Sequence, residues 1–340
     1  MAWIIRPKPW GGEARKCRNL GQLPYPERLL RTLPAMNTVR LIGAPTDVGA
    51  SVRGAGMGPD ALRVAGLPEV LARQGLKVVD AGNLAGPATP WRAPEGGLRH
   101  LPEVVAWNRA VYEAVDAALG AGEVPLLMGG DHCLAIGSIS AVAWHARRRG
   151  QQLRVLWLDA HSDVNTEATS PSGNIHGMPV ACLLGHGPAA LTGWSGAPGA
   201  LDADAVRFLG IRSVDAAERE AIRDLGLAVF DMRHIDEHGM RTTMLEALQD
   251  VDEATHLHVS FDLDCLDPGD APGVGTGVRG GPTYREMQLC MEMIADTGRL
   301  ASLDVVEINP ALDVRNRTAE VAVELIESLF GKSTLVRRGA

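Results

Sequence analysis

From residue 38 onward, short apolar runs alternate with longer segments of helical pattern, and few folds accommodate such an alternation. It is typical of βαβ units, in which a helix connects two parallel strands. Eight strands are predicted, at residues 39–43, 76–80, 124–128, 155–158, 206–210, 227–230, 257–261 and 303–306. Helices are predicted from residue 59 onward and at residues 102–119, 139–149, 216–225, 241–249, 284–297 and 318–330. The sequence therefore predicts an α/β fold of three layers, α/β/α, around a central, mostly parallel eight-stranded sheet.

One domain is predicted for residues 36–335, because no internal repeat and no linker-like segment divides them. Residues 1–35 differ, since they contain seven Lys or Arg against two Glu, together with five prolines. We expect an N-terminal extension there that is either disordered or precedes a natural start at Met36. An organelle transit peptide is the alternative, but the prolines would interrupt its amphipathic helix.

Charge and composition exclude several classes of partner. The net charge is -8 and no long basic stretch is present, which argues against nucleic acid. No apolar run approaches the roughly 18 to 20 residues of a membrane span, so no membrane partner is predicted. The five cysteines are widely spread and form no Cys-x-x-Cys pair, which indicates free thiols in a reducing compartment and favours a cytoplasmic location.

A group of acids and an imidazole follows the predicted strand at residues 155–158. Asp159, His161 and Asp163 alternate along the chain, so in an extended backbone they point to the same side. Two carboxylates so close would repel each other, and one would take up a proton unless a divalent cation compensated the charge. By itself this pattern fits a solvated turn equally well, since short motifs have many false positives.

Similar residues end two other predicted strands. The strand at 124–128 runs into Gly129-Gly-Asp-His132, and the strand at 257–261 runs into Asp262-Leu-Asp264. Because the carboxyl ends of parallel strands meet at one edge of a sheet, we expect these side chains to converge. Single aspartates are common in turns and helix caps, but caps have no reason to alternate at three strand ends.

The combined set of four carboxylates and two imidazoles indicates a metal site. It is rich in hard oxygen ligands, which suits Mn²⁺, although iron remains open. Six ligands suit two ions about 3.5 to 4 Å apart with a hydroxide between them, whereas a catalytic zinc usually takes about three protein ligands. The predicted reaction class is metal-assisted attack of hydroxide on an electrophilic carbon or phosphorus.

The order of the three motifs resembles that of the ureohydrolases, the family of arginases, agmatinases and their relatives. The motifs are Gly129-Gly-Asp-His132, Asp159-Ala-His-Ser-Asp163 and Ser260-Phe-Asp-Leu-Asp-Cys-Leu-Asp-Pro268, and the resemblance covers about residues 38–332. Within the family, the stretches at 170–179 and 305–310 resemble the bacterial arginases. The resemblance implies an arginase/deacetylase-like fold and a hydrolase of linear amidines. It further implies that a hydroxide bridging two Mn²⁺ ions per subunit attacks the guanidinium carbon of L-arginine, giving L-ornithine and urea.

The resemblance also implies roles for individual residues of the metal site. One manganese would be held by His132, Asp159, Asp163 and Asp262, while His161 and Asp264 complete the other and Asp159 and Asp262 bridge both. Asp163 would deliver a proton to the departing amine, and His176 would shuttle protons. Glu307 would pair with the substrate guanidinium and orient its carbon. Taken alone, His176 could equally be a buried loop histidine, and Glu307 a solvated acid at a strand end.

Further positions are implied to bind the amino-acid end of the substrate. The α-carboxylate would be held by polar residues after the metal loop, namely Asn165, Ser170, Ser172 and Asn174. Asp215 and Glu218 would lie near the α-ammonium, and Thr276 near the substrate. Two positions depart from the family pattern: Cys133 stands where serine is general, and Gly277 stands where proline is expected, which should loosen its loop.

Three functions stay open at this point. The first is hydrolysis of L-arginine, and the second is hydrolysis of agmatine or another guanidino compound by a related ureohydrolase. The third belongs to another class, a non-catalytic metal-binding or arginine-binding regulatory protein. The resemblance to bacterial arginases also implies a homo-oligomer, either a homohexamer built from trimers or a homotrimer.

Overall fold

The computed structural model describes residues 38–90, 93 and 97–335. The predicted N-terminal extension at residues 1–35 lies outside the described residues. The fold below is that of residues 38–334, which belong to one compact unit.

Eight strands form one sheet, and every pair of neighbouring strands is parallel. The strands are β1 (Thr38–Ala44), β2 (Lys77–Asn83), β3 (Val124–Gly129), β4 (Gln152–Leu158), β5 (Val206–Leu209), β6 (Ala228–Phe230), β7 (Thr255–Asp262) and β8 (Leu300–Val306). Their order across the sheet is β2-β1-β3-β8-β7-β4-β5-β6. The predicted number of strands is confirmed, and the sheet is parallel throughout rather than mostly parallel.

Nine α-helices flank the sheet in the part of the chain that the structure describes. They are α1 (Gly58–Val64), α2 (Leu67–Arg73), α3 (Leu101–Gly120), α4 (Ala135–Arg148), α5 (Pro179–Leu183), α6 (Ala216–Leu225), α7 (Met232–Ala247), α8 (Tyr284–Thr297) and α9 (Arg317–Leu329). Helices α1, α2, α7, α8 and α9 share a core with one face of the sheet, while α3 to α6 pack on the other. The predicted three layers are confirmed. None of the described helices combines the length and apolar character needed to cross a membrane.

The central strands are buried on both faces, which explains their apolar sequences. All residues of β3 and β7 are buried, as expected for parallel strands covered by helices on both sides. Strand β7 nevertheless carries three polar residues, His256, His258 and Ser260, at every second position, so their side chains lie on one face of the sheet. His258 Nδ1 lies 2.8 Å from Ser302 Oγ on the neighbouring strand β8, so these two buried side chains contact each other within the sheet.

Two helix predictions were wrong at their starts. Helix α7 begins at Met232, well before the predicted residue 241, because the Asp231 side chain caps its first turn by accepting from the His234 amide at 2.8 Å. Gly239 then interrupts the helix with φ 76° and ψ 151°. Only the half after Gly239 therefore shows a clear helical pattern in the sequence. Helix α4 begins at Ala135 rather than residue 139, directly after a short turn at 132–134. Helices α2 and α5 were not predicted.

Candidate metal centre and substrate site

The predicted ligand residues converge at the carboxyl end of four neighbouring strands. In the sheet order, β3, β8, β7 and β4 lie side by side. His132 follows β3, Glu307 follows β8, and Asp262 ends β7. Asp159 directly follows β4. The topology thus brings together side chains that are up to 175 residues apart in the chain.

The imidazole of His132 lies among three carboxylates. Its Nδ1 atom is 3.1 Å from Asp159 Oδ2, 3.3 Å from Asp163 Oδ2 and 3.1 Å from Asp262 Oδ2. The ligand-type atoms of His132, Asp159 and Asp163 all lie within 4.8 Å of one another. Together with Asp262, these are the four residues that the resemblance implies for one metal ion.

A second group shares Asp159 with the first. His161 Nδ1 lies 3.0 Å from Asp264 Oδ2 and 3.5 Å from Asp159 Oδ1, and the three residues again offer ligand-type atoms within 4.8 Å of one another. One oxygen of Asp159 faces each histidine. A carboxylate shared in this way is the arrangement expected of a ligand that bridges two cations.

The surroundings of His132 fit a bound cation. Its Nδ1 atom is buried, faces only carboxylate oxygens and has no hydrogen-bond partner. The other ring nitrogen, Nε2, lies 2.9 Å from Ser260 Oγ, and the ring stacks on Trp157 with centroids 4.1 Å apart. Metal-binding histidines are typically held in this way through the nitrogen that does not bind the metal.

The electrostatics of the four acids also fit a cation. Burial, together with the neighbouring carboxylates, raises the pKa of Asp262 well above its ordinary value, raises that of Asp264, and raises the pKa of Asp163 to about 7. Burial would raise the pKa of Asp159 too, but contacts with His132 and His161 lower it. Crowded buried carboxylates of this kind retain protons unless a positive charge replaces them.

Two site residues have a left-handed backbone. Asp163 has φ 52° and Glu307 has φ 62°, and they are among five non-glycine residues with positive φ in the described chain. Such conformations are uncommon and persist where surrounding contacts hold them. The Glu307 amide donates to the Gly130 carbonyl at 2.8 Å, and the Asp163 carbonyl accepts from Val180 at 3.0 Å. The backbone is thus fixed where both side chains turn into the site.

His176 and Glu307 contact each other. His176 Nδ1 lies 3.0 Å from Glu307 Oε1, and the same oxygen accepts from the His132 amide at 2.9 Å. Burial opposes the charge on His176, but the Glu307 carboxylate raises the pKa of the imidazole to about 9. Burial would likewise raise the pKa of Glu307, yet the contacts with His176 and His132 leave it below its ordinary value.

The loop after the metal residues is a run of polar groups. Ser170 Oγ accepts from the Gly173 amide at 3.0 Å, and Ser172 Oγ accepts from the Asn174 amide at 3.2 Å. The Asn174 side chain accepts from Arg99 Nε at 2.7 Å and donates to Ser51 Oγ at 3.1 Å. Ser170, Ser172 and Asn174, three of the residues predicted to bind the carboxylate, are therefore held in one folded loop.

The two acids predicted for the ammonium form a helix cap beside this loop. Asp215 and Glu218 each accept from the other's backbone amide, a capping box that starts α6. Asp215 Oδ2 also accepts from Asn165 Nδ2 at 3.0 Å, and Glu218 Oε1 accepts from Ser162 at 2.8 Å. Both acids thus lie next to the metal loop, and burial raises the pKa of Glu218.

Several contacts around the site were not anticipated from the sequence. Thr276 donates to Asp264 Oδ2 at 3.0 Å, so it touches a predicted metal ligand. Trp157 Nε1 donates to Asp159 Oδ2 at 3.0 Å. Arg212 follows β5 and connects it to the loops after β7 by donating to five backbone carbonyls. These belong to Gly210, Asp264, Cys265, Leu266 and Val278. In the sequence, Ser260 was indicated as a site residue only by its place before the aspartates of the third motif. Nothing in the sequence indicated that Arg99 or Ser51 lies near the site.

Most of the chain is similar to known arginases in sequence and in structure. The Arginase family model matches residues 37–331. An arginase of Bacillus caldovelox is 46% identical over 305 residues, which cover 88% of this chain and 100% of that protein. The native structure of Bacillus caldovelox arginase at pH 5.6 superposes with a TM-score of 0.84 at 43% identity, with the same coverage. The structure of Entamoeba histolytica arginase in complex with L-ornithine has a TM-score of 0.80 at 31% identity, covering 87% of this chain and 99% of that chain.

Proposed function

This chain belongs to the arginase family of hydrolases, and on that premise we propose how it converts L-arginine to L-ornithine and urea. The observation that carries the mechanism is the convergence of six ligand-type side chains with the His176–Glu307 pair at one end of the sheet.

Two Mn²⁺ ions fit the residues at this end of the sheet. One would be held by His132, Asp159, Asp163 and Asp262, and the other by Asp159, His161, Asp262 and Asp264. Bound manganese would supply a water molecule that is ionised near neutral pH, the nucleophile that this hydrolysis requires. The hard oxygen-rich ligand set supports manganese over metals that prefer thiolates, since each of the described cysteines lies outside it.

Glu307 would orient the guanidinium group of the substrate. Its carboxylate is buried, and its lowered pKa keeps it ionised at neutral pH. Oε1 is fixed by His132 and His176, while Oε2 faces Gly275, where an added Cβ would come within 3.7 Å of it. A carboxylate and a guanidinium form planar, directional hydrogen bonds, so this pairing would aim the guanidinium carbon at the nucleophile.

Asp163 and His176 would handle the protons. The departing amine of ornithine needs a proton, and Asp163 lies beside His132 in the first group of ligands. His176 is suited to exchange protons with solvent, because its side chain is 17% exposed while that of its partner Glu307 is 3% exposed. An imidazole at such a boundary can accept a proton from water and pass it inward.

The polar loop and the capping acids would select an α-amino acid. Asn165, Ser170, Ser172 and Asn174 would bind the α-carboxylate, while Asp215 and Glu218 would lie near the α-ammonium and Thr276 near the reacting end. Agmatine lacks the carboxylate, so these groups would be left without their partner. A site built for a polar group rejects analogues that lack it, which favours arginine over agmatine.

A urea-release assay tests this function. The protein is purified, loaded with Mn²⁺ and incubated in parallel with L-arginine, agmatine and guanidinobutyrate. Urea from L-arginine alone, or far more from it than from the others, supports the proposal. Preference for agmatine or guanidinobutyrate would assign the related activity instead. No urea from any of them, with L-arginine still binding in calorimetry, would indicate the regulatory class.

We further propose a cytoplasmic homo-oligomer, a homohexamer built from trimers or a homotrimer, on the strength of the similarity to bacterial arginases. Light scattering coupled to size-exclusion chromatography measures the mass directly. A monomeric mass at micromolar concentration would contradict it.

A further inference from the structure

We propose that Arg99 determines substrate specificity by supplying the positive charge that binds the α-carboxylate. The inference rests on the proposed function, because it names a partner for one end of the proposed substrate. Arg99 lies between β2 and α3, 75 residues from the loop that it contacts. It belongs to none of the motifs found in the sequence.

Arg99 is joined to the polar loop by its backbone and by its side chain. Its amide donates to the Gly173 carbonyl at 2.8 Å, and its Nε donates to Asn174 Oδ1 at 2.7 Å. Gly173 has φ 67°, and a Cβ there would lie 2.0 Å from the Gly97 carbonyl oxygen. The segment carrying Arg99 is thus packed directly against the loop, which places the guanidinium on its wall.

The loop next to Arg99 presents hydrogen-bond donors. The hydroxyl oxygens of Ser170 and Ser172 already accept from backbone amides, so their O–H groups remain to donate. The side-chain oxygen of Asn174 accepts from Arg99, and one N–H of its side-chain amide donates to Ser51. The second N–H of that amide remains to donate to a ligand. A surface composed of donors suits an anion.

Arg99 is the charged member of this surface. The hydroxyl and amide groups are neutral, and a carboxylate that leaves water for neutral donors is poorly compensated. Hydrogen bonds to an ionised donor are roughly twice as strong, and a guanidinium can bind both carboxylate oxygens. Arg99 forms no ion pair with any acid in the described part of the chain, so its charge is not already compensated there.

The charges around the loop match the head of an amino acid. At one end, Asn165 donates to Asp215, which forms the capping box with Glu218. At the other end, Asn174 accepts from Arg99. An α-amino acid carries an ammonium and a carboxylate on one carbon, and this loop has acids at one end and a guanidinium at the other. Arg99 thereby completes a site for a zwitterion rather than for a simple amine.

The test compares Arg99→Gln and Arg99→Lys with the wild type, as full-length manganese-loaded proteins. Steady-state kinetics give kcat and KM for L-arginine, and inhibition constants are measured for L-ornithine and for putrescine, the same diamine without the carboxylate. We expect Arg99→Gln to raise KM for L-arginine and the inhibition constant for L-ornithine about tenfold or more, since a charged hydrogen bond is lost. The inhibition constant for putrescine and kcat should change less than about twofold, and Arg99→Lys should recover part of the loss.

Arg233→Gln is the matched control, because Arg233 is exposed on α7 and pairs with Glu237 away from the site. It should leave every constant unchanged. Equal weakening of L-ornithine and putrescine in Arg99→Gln, or a fall in kcat at unchanged KM, would overturn the inference and indicate that Arg99 only shapes the loop. An unchanged KM in Arg99→Gln would refute the role of Arg99 in binding the α-carboxylate while leaving the proposed function intact. A wild type that releases no urea from L-arginine would instead refute the proposed function.

Discussion

The hydroxyl of Ser260 lies 2.9 Å from His132 Nε2, while the other ring nitrogen of His132 faces three carboxylates. If Nε2 carries the hydrogen and donates it to Ser260, the lone pair on Nδ1 points into the proposed metal site. This contact therefore fixes the orientation of a proposed ligand, and it is compatible with the tautomer that a cation at Nδ1 would require.

Ser260→Ala should weaken manganese binding. Loss of such a supporting hydrogen bond typically costs about 10- to 100-fold in metal affinity, and calorimetric titration of the metal-free protein measures it. Ser302→Ala is the control, because Ser302 is also a buried serine of the sheet but bonds His256 and His258 instead. An affinity for Mn²⁺ that falls equally in both variants would mean that Ser260 has no specific role at the metal.

Asp159→Asn should abolish the thermal stabilisation that manganese gives. Asp159 offers one oxygen to each group of ligands, so its loss damages both sites. A ligand that binds the folded state alone stabilises it by about 2.7 kcal/mol at 100 times its Kd. Melting is followed with EDTA and with excess Mn²⁺. The wild type should melt higher with Mn²⁺, and so should the control Asp236→Asn, which alters an exposed acid of α7. A full Mn²⁺ shift in Asp159→Asn would contradict the shared-ligand assignment.

Patterns within a few consecutive residues were enough to predict which strand-end side chains lie close together, whereas contacts that depend on topology were not predicted. The apolar runs of β3 and β4 marked buried strands, and their position before acids and histidines was enough to predict convergence at one edge. The capping box at Asp215 and the left-handed Gly226 mark both ends of α6, which was predicted at its observed bounds. These signals are all contained in a few consecutive residues.

The contacts that escaped prediction join distant segments. The first half of α7 lacks a long apolar pattern and depends on the Asp231 cap and on packing of Ile235. Arg99 and Arg212 reach backbone or amide groups 75 and up to 66 residues away. An arginine bonded to a carbonyl leaves no pattern in the sequence, because the carbonyl is present at every residue.

The stability of the metal-free protein should depend on pH through His176. Its pKa in the folded protein is about 9, above the ordinary value of 6.5, so folding favours the protonated form. This stabilisation is fully present below pH 6.5 and is lost as the pH rises through about 9. Urea denaturation with EDTA at pH 6 and pH 9.5 should show that the wild type loses roughly 3 kcal/mol more than His176→Asn over this range. Parallel losses in both proteins would show that the imidazole is not protonated beside Glu307.

Cys133→Ser should retain activity but change the affinity for manganese. Cys133 is buried directly after His132, and its amide donates to Asp131 Oδ1 at 3.0 Å. Burial and Asp131 raise the pKa of the thiol well above its ordinary value, so it stays protonated. A thiol is a weak hydrogen-bond donor, whereas a serine hydroxyl would donate more strongly to the neighbouring Asp131 carboxylate. We expect a severalfold change in the Kd for Mn²⁺.

Calorimetric titration of the metal-free variant measures this Kd, with Cys290→Ser as the control. Cys290 is equally buried but lies in α8, where its thiol contacts Met244 Sδ at 3.4 Å. Serine at 290 should cost stability and leave the Kd unchanged, because it removes a buried thiol without touching the Asp131 contacts. If serine at 133 also leaves the Kd unchanged, the thiol takes no part in positioning His132. A changed Kd at 133 alone would show that this departure from the family pattern adjusts the metal site.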